Sequence, residues 1–240
     1  MRALVTGATG SVGVELVSRL LADGGDSVEV HGTTRMMADR EPDSVIWHQV
    51  DFCSSAESWD LPDDVDYLIC AAGLPSGKEL LHKVDPEEIN SILAVNLIGP
   101  IALSQKYIPG MLSRKFGRIV FVNSIWGMRG SPANSIYNIS KHGLTGLTRS
   151  IAKDYAQSGI TANEVCPCAI DSRMLMKIAE RVARDEGEPV ADVLDSWRHA
   201  QVGGRFVTPS EVVNSIMHFL HDSTGALNGV SLPVDLGEIS

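Results

Sequence analysis

Seven short apolar runs punctuate the chain, at residues 2–6, 27–31, 45–50, 65–70, 118–123, 160–165 and 230–234. Each is of strand length and rich in Val and Ile. Several lack the strict alternation of a half-exposed strand, which predicts strands buried on both faces. Helix-length segments lie between them. Residues 11–22 carry Val12, Leu16, Val17, Leu20 and Leu21 on one stripe. Residues 86–97 are opened by Asp85-Pro86-Glu87-Glu88, a cap residue, a Pro at the first helical position and acids at the helix's positive end. Residues 100–115, 135–157 and 209–220 follow, the last introduced by Thr208-Pro209-Ser210-Glu211, with Glu three residues after Thr. This alternation predicts an α/β fold, a Rossmann-like doubly wound parallel sheet of about seven strands with helices on both faces. No repeat, low-complexity tract or linker interrupts it, so residues 1–240 are expected to form a single domain.

Composition narrows the class. Of the 240 residues, 44% are hydrophobic and 21% charged, which excludes an intrinsically disordered chain. The net charge of −10 disfavours nucleic acid as a partner. No apolar run is long enough to predict a membrane span. The first apolar run begins almost at residue 1 and ends at Thr6-Gly7, which leaves no room for a signal peptide. With only four cysteines (Cys53, Cys70, Cys166 and Cys168), the expectation is reduced thiols and a cytoplasmic location.

Two motifs carry the chemistry. The first is Thr6-Gly7-Ala8-Thr9-Gly10-Ser11-Val12-Gly13, placed where the first strand meets the first helix. Glycines allow a tight turn and close approach to a pyrophosphate, and the helix N-terminus offers unpaired N–H groups to phosphate. The alternative is a turn that merely ends a strand. Asp51, at the end of the third strand, has the position to accept from an adenine amino group or simply to close a turn. The second motif is Tyr137-Asn138-Ile139-Ser140-Lys141. A spacing of four puts Tyr137 and Lys141 on one helix face. An ammonium beside a phenol favours the phenolate, so the phenol pKa is expected to fall toward neutrality. Ser124 lies just past the end of the fifth run, where open α/β sheets bind ligands. Its hydroxyl has the position to hold a carbonyl oxygen.

Taken in order, these motifs resemble the short-chain dehydrogenase/reductase family over essentially the whole chain. The matching pieces are the Gly loop, Asp51-Phe52, Ala71-Ala72-Gly73, Val95-Asn96-Leu97, Val122-Asn123-Ser124, Tyr137 with Lys141, Cys166-Pro167 and Val234-Asp235-Leu236-Gly237. The resemblance implies an NAD(P)-dependent oxidoreductase that interconverts a ketone or aldehyde and an alcohol. It implies that Tyr137 is the general acid/base, that Lys141 tunes it and bonds the nicotinamide ribose, that Ser124 polarises the carbonyl, and that Asn96 holds a water linking Lys141 to solvent. By the same resemblance the cofactor lies along Gly7, Thr9, Gly10, Ser11, Val12 and Gly13, then Asp51, Phe52, Ala71, Ala72 and Gly73, then Tyr137, Lys141, Pro167, Ile170 and Ser172. The chain departs from the short branch of the family at Ser11, Cys70, Cys168 and Leu236, and its Gly spacing is that of the longer epimerases and dehydratases. Those need a C-terminal substrate domain, for which no room is expected after the last strand. Cys166-Pro167-Cys168 reads as a metal or redox pair only in isolation: no other Cys or His nearby has ligand spacing, and Pro167 aligns with the family loop, so no metal is expected.

The second run carries no acid at its end to bind ribose hydroxyls. Two hydroxyls, Thr33 and Thr34, and Arg35 follow instead, a set able to hold a 2′-phosphate, so NADP is favoured over NAD; the alternative for Arg35 is a solvated surface arginine. Residues 172–205 hold two helical patterns and are expected to form a substrate lid. Its apolar stripes, with Trp126 near Ser124, point to a substrate of hydrocarbon or ring character. The alternative function is a non-catalytic NAD(P)-sensing regulator, which would need the Gly loop but not the Ser–Tyr–Lys set. Segments 100–115 and 135–157 carry more apolar surface than one core-facing stripe requires, and the family pairs these helices. A homotetramer or homodimer is therefore expected.

Overall fold

The structure, a computed structural model, describes residues 1–37, 42–77 and 79–239. Seven parallel strands form one sheet: β1 (Arg2–Thr6), β2 (Glu29–Thr34), β3 (Val45–Gln49), β4 (Tyr67–Cys70), β5 (Gly117–Val122), β6 (Ile160–Pro167) and β7 (Ser231–Val234). Their order is β3-β2-β1-β4-β5-β6-β7. The strand direction of travel reverses at β1, so a crevice opens where the carboxyl ends of β1 and β4 diverge.

Among the described residues, seven α-helices connect and cover the sheet: α1 (Ser11–Gly24), α2 (Pro86–Leu93), α3 (Gly99–Arg114), α4 (Ser135–Asp154), α5 (Arg173–Glu186), α6 (Val190–Ala200) and α7 (Pro209–Leu220). Period-2 alternation divides each strand between two cores. Ala3 and Val5 of β1 pack with Leu16, Leu20, Val213 and Ile216 from α1 and α7. Leu4 points the other way, to Leu103, Tyr107 and Met111 of α3 and Leu144 of α4. Burial on both faces explains why these strands read as continuous apolar runs.

Two expectations shift. β2 runs on to Thr34 instead of stopping at His31, because the turn-like Gly32 leaves room for an indole: a Cβ there would lie 2.9 Å from the Trp47 ring. The helix expected over 86–97 stops at Leu93 and passes through a wide π turn, Ala94–Ile98, into α3. Pro100 has no N–H to give to the Asn96 carbonyl, which breaks the regular ladder there. Residues 173–200 form the two expected helices, which share a small core of Ala179, Ala183, Val193, Leu194 and Phe206. No helix of the described residues is long and apolar enough to cross a membrane.

Helix α7 starts on a reciprocal cap. Glu211 N donates to Thr208 Oγ1 (3.3 Å), and Thr208 N donates back to Glu211 Oε2 (2.8 Å). The Arg205 guanidinium donates to both carboxylate oxygens, at 2.9 and 2.6 Å. These bonds, Arg205 first and Thr208 second, hold the Glu211 carboxyl at about 2, below its ordinary 4.5. A carboxyl whose pKa is depressed by folding stabilises the fold above its unfolded value, and that stabilisation disappears as pH falls through the folded value. The Glu211→Gln variant is therefore expected to melt below the parent at pH 7. The gap should close as pH drops from 4.5 toward about 2, as followed by circular dichroism melts.

Candidate active site

A cleft of about 780 Å³ opens at the carboxyl ends of β1, β4, β5 and β6. Every residue assigned to a cofactor from the sequence, from Gly7 to Ser172, lines it, as do Ser124, Tyr137 and Lys141. Asn96 does not.

The first turn after β1 is built by close contacts. Thr6 Oγ1 accepts from the backbone N–H groups of Ala71 and Ala72, both at 3.1 Å, which ties the end of β1 to the end of β4. Gly7 has φ +64°, and a Cβ there would lie 2.8 Å from the Ala72 backbone. At Gly13 a Cβ would meet Gly7 O at 2.2 Å. Gly7 N donates to Thr33 Oγ1 (3.2 Å) and Gly10 N to Gly7 O (2.8 Å). No side chain caps α1, so its first-turn N–H groups and positive dipole end face the cleft. Glycine cradle and uncapped helix together fit a pyrophosphate.

Beyond β2, the buried Thr34 hydroxyl is spent on the Met36 backbone, bonding its O (2.9 Å) and N (3.2 Å). Arg35 is exposed at the cleft mouth, and no described acid lies within ion-pair distance of it. Asp51 also lines the cleft, but its Oδ1 accepts from Cys53 N (2.9 Å), so it shapes a turn as well. Phe52 packs edge-on against Trp59.

The reacting centre is assembled from β5 and α4. Ser124 follows β5, accepts from Trp126 N (3.2 Å) and donates to Pro167 O (3.4 Å). Tyr137 sits in the first turn of α4, hydrogen-bonded to the Ser124 hydroxyl. Lys141 is buried; its Nζ donates to Val122 O (2.9 Å) and lies 5.6 Å from the centre of the Tyr137 ring. The lowered phenol pKa expected from this neighbour is absent. Burial pushes Tyr137 up to about 12, against the bond from Ser124, and burial pulls Lys141 down to about 8. The reason is desolvation, which disfavours the phenolate and the ammonium alike even though Tyr137 keeps part of its surface on the cleft wall, and the ammonium is aimed at a backbone carbonyl.

Asn96 sits under the cleft. Its Oδ1 accepts from Leu74 N (2.7 Å), and its Nδ2 donates to Leu74 O (2.9 Å) and Ser140 Oγ (3.2 Å). Ser140 in turn donates to Tyr137 O (2.7 Å). Asn96 therefore clamps the loop after β4 to the turn of α4 that carries Tyr137. Sequence reasoning missed this use of Ser140, although it stands inside the Tyr–Lys motif, and it placed the Thr33 hydroxyl on a 2′-phosphate where the structure spends it on Gly7 N. It also missed the latch at Arg173, whose N donates to Ser11 Oγ (3.2 Å) and whose guanidinium donates to Thr9 O (2.5 Å), pinning the start of α5 to the Gly loop.

The far end of the cleft is apolar, walled by Trp126, Met174, Leu175, Ile178 and Trp197. Arg129 stacks 4.9 Å over Trp126 and is neutralised by Glu238 at 3.0 Å. Cys166 and Cys168 are buried free thiols pushed up by that burial, and the described residues contain no group able to hold a metal.

Over residues 1–183 the chain matches the model of the short chain dehydrogenase family. The chain belongs to that family. It is 31% identical over 225 residues to a D-beta-hydroxybutyrate dehydrogenase of Cupriavidus necator, a match covering 88% of this chain and 86% of the relative. Its fold superposes on a short-chain dehydrogenase family protein from Francisella tularensis with a TM-score of 0.87 at 21% identity, covering 99% of this chain and 98% of the other. An actinorhodin polyketide ketoreductase, solved with NADPH, gives a TM-score of 0.84 at 26% identity over 98% of this chain and 96% of its own. The chain is thus an oxidoreductase of the short-chain dehydrogenase family, with the family's parallel sheet and its cleft at the strands' carboxyl ends.

Proposed function

We propose that this dehydrogenase interconverts a ketone or aldehyde and an alcohol with a nicotinamide cofactor, with Tyr137 as the general acid/base. The observation that carries the reading is the convergence of Ser124, Tyr137 and Lys141 in the same cleft as the glycine cradle. The bound nicotinamide supplies or takes up the hydride. The chain's own residues do the rest. The Ser124 hydroxyl, beside the phenol, holds the substrate oxygen. Tyr137, held protonated at neutral pH by burial, gives that oxygen its proton in the reductive direction and takes it back in the oxidative one. The Lys141 ammonium offsets the negative charge that develops on the phenol. Asn96 keeps the α4 turn in place, and its bonds to Leu74 and Ser140 leave the water-holding role to its backbone.

Cofactor and substrate classes follow from the two ends of the cleft. The first-turn N–H groups of α1 take the pyrophosphate. Arg35, free of described acidic partners at the end of β2, suits a 2′-phosphate, which favours NADP over NAD. The neutralised Arg129 and the indole walls favour an uncharged, largely hydrocarbon or ring substrate. The related polyketide ketoreductase, as its name states, also reduces a ketone. Residues 172–205 act as the lid, and residues 1–240 as one domain.

Assembly belongs to the same reading. Ile98, Leu112 and Ile139 are exposed around α3 and α4, and a Cβ at Gly146 would meet nothing within 4 Å. These features support pairing of the two helices with those of a second copy, in a homodimer or homotetramer.

Three outcomes are expected. Tyr137→Phe should lower kcat with NADPH and a reducible ketone by about 10²–10⁴-fold while NADPH affinity, read by calorimetry, stays unchanged; full activity in this variant would sink the mechanism. Arg35→Ala should weaken NADPH by about tenfold or more, the order for a lost bond to a charged phosphate, and leave NADH untouched. Tighter binding of NADH than NADPH by the parent protein would refute the NADP preference. Light scattering should give the mass of two or four chains, and Leu147→Glu on α4 should reduce it.

A further inference from the structure

One buried charge takes no part in the reaction as read above. Glu164 lies on β6 opposite Phe121 of β5 and is fully buried. No lysine, arginine or histidine of the described residues lies within ion-pair distance of it. It is surrounded by neutral donors instead. Asn123 Nδ2 donates to Oε2 (2.6 Å), Thr145 Oγ1 to Oε1 (2.9 Å) and Ser231 Oγ to Oε1 (2.6 Å). Thr148 Oγ1 stands farther off at 3.4 Å and gives its hydrogen to Leu144 O (2.8 Å).

Counting hydrogens gives the ionisation state of this cluster. The Asn123 amide must present its NH₂ here, because the same nitrogen faces Lys141 O (3.1 Å), which only accepts. Its two hydrogens go to Lys141 O and to the shortest contact, Glu164 Oε2 (2.6 Å), so the Thr145 hydroxyl keeps its own hydrogen, for which the carboxylate at 2.9 Å is a nearer acceptor than Gly127 O at 3.3 Å. Three donors therefore converge on Glu164 with no acceptor set against it, the arrangement of an ionised carboxylate.

Its place in the fold gives that charge a purpose. Thr145 lies one helical turn beyond Lys141 on α4, and Asn123 is bonded to Lys141 O and is the chain neighbour of Ser124. The Lys141 ammonium lies 5.6 Å from the centre of the Tyr137 ring on its own helix, and Cys166 and Glu164 on β6 and Cys70 on β4 act on it electrostatically. Both thiols are driven up by burial and stay neutral at the pH where Lys141 titrates. Glu164 is then the one standing negative charge among these groups.

We propose that Glu164 is a positioning residue for the Tyr137–Lys141 pair: its buried carboxylate is the counter-charge that keeps Lys141 an ammonium, and through Asn123 and Thr145 it fixes β5 and α4 at the spacing the pair needs. This rests on the acid/base reading of Tyr137 and Lys141. Burial draws Lys141 down to about 8, and the attraction of Glu164 opposes a further fall. Replacing the carboxylate by an amide of the same shape removes the attraction and leaves the packing.

The test titrates Lys141 in the whole ligand-free protein by ¹H–¹³C NMR of lysine-labelled chain, with the Lys141 signal assigned by its loss in Lys141→Arg. In Glu164→Gln the midpoint is expected to fall by about one pH unit or more, the order for losing a nearby buried counter-charge. Glu164→Asp, which keeps the charge, should restore most of it. An unmoved midpoint in a folded Glu164→Gln protein overturns the proposal. Should that variant not fold, the Glu164 carboxyl carbon of the unmodified protein decides, assigned by its loss in Glu164→Asp: an ionised group at neutral pH supports the role and a protonated one overturns it. Failure here is distinct from failure of the catalytic reading, because an active Tyr137→Phe enzyme would remove that reading without touching the Lys141 titration.

Discussion

Burial of a parallel sheet on both faces is the constraint from which the rest of this protein follows. With α1 and α7 on one side and α3 and α4 on the other, the strands expose only their ends. Strand order then selects which end is useful. The reversal at β1 parts the loops after β1 and β4, and the bond pair from Ala71 and Ala72 to Thr6 sets how far they part. The glycine cradle, the uncapped α1 and the Ser124 turn all open onto that one gap.

The same burial sets the chemistry. A phenol and an ammonium taken out of water each resist ionisation, so proximity alone does not make Tyr137 acidic. The site instead holds a phenol that stays neutral up to about pH 12 and a lysine whose pKa is drawn down to about 8. Holding charged and polar groups there requires that they be bonded. Asn96, Asn123 and Glu164 are buried, and each spends its side-chain bonds on joining two elements. The polar interior beneath the cleft thus serves as framework for the reacting groups, at the cost of complete dependence on its partners.

Helices α5 and α6 follow a different physics. They share a small core of their own, and Arg173 ties the start of α5 to Thr9 and Ser11 of the Gly loop. They also lend the cleft its apolar wall, through Met174, Leu175, Ile178 and Trp197.

Much of this was legible in the linear chain, because its signals are local. Apolar runs with turn signals between them gave all seven strands. Asp85-Pro86 and Thr208 with Glu211 gave helix starts at the observed residues, since a cap is satisfied within a few residues of itself. Glycine spacing and the Tyr137–Lys141 interval marked the cleft for the same reason. What the sequence could not express were outcomes of packing between distant residues. Gly32 stays in a strand because Trp47 needs its missing Cβ, and the helix through Asn96 widens into a π turn ahead of Pro100. The direction of the Tyr137 shift depends on how dry its pocket is. Glu164, unremarkable as one acid among thirty acidic residues, acquires meaning only where β5, β6, β7 and α4 close around it. Local order was written in neighbouring residues; desolvation and long-range contact exist only once the chain has folded.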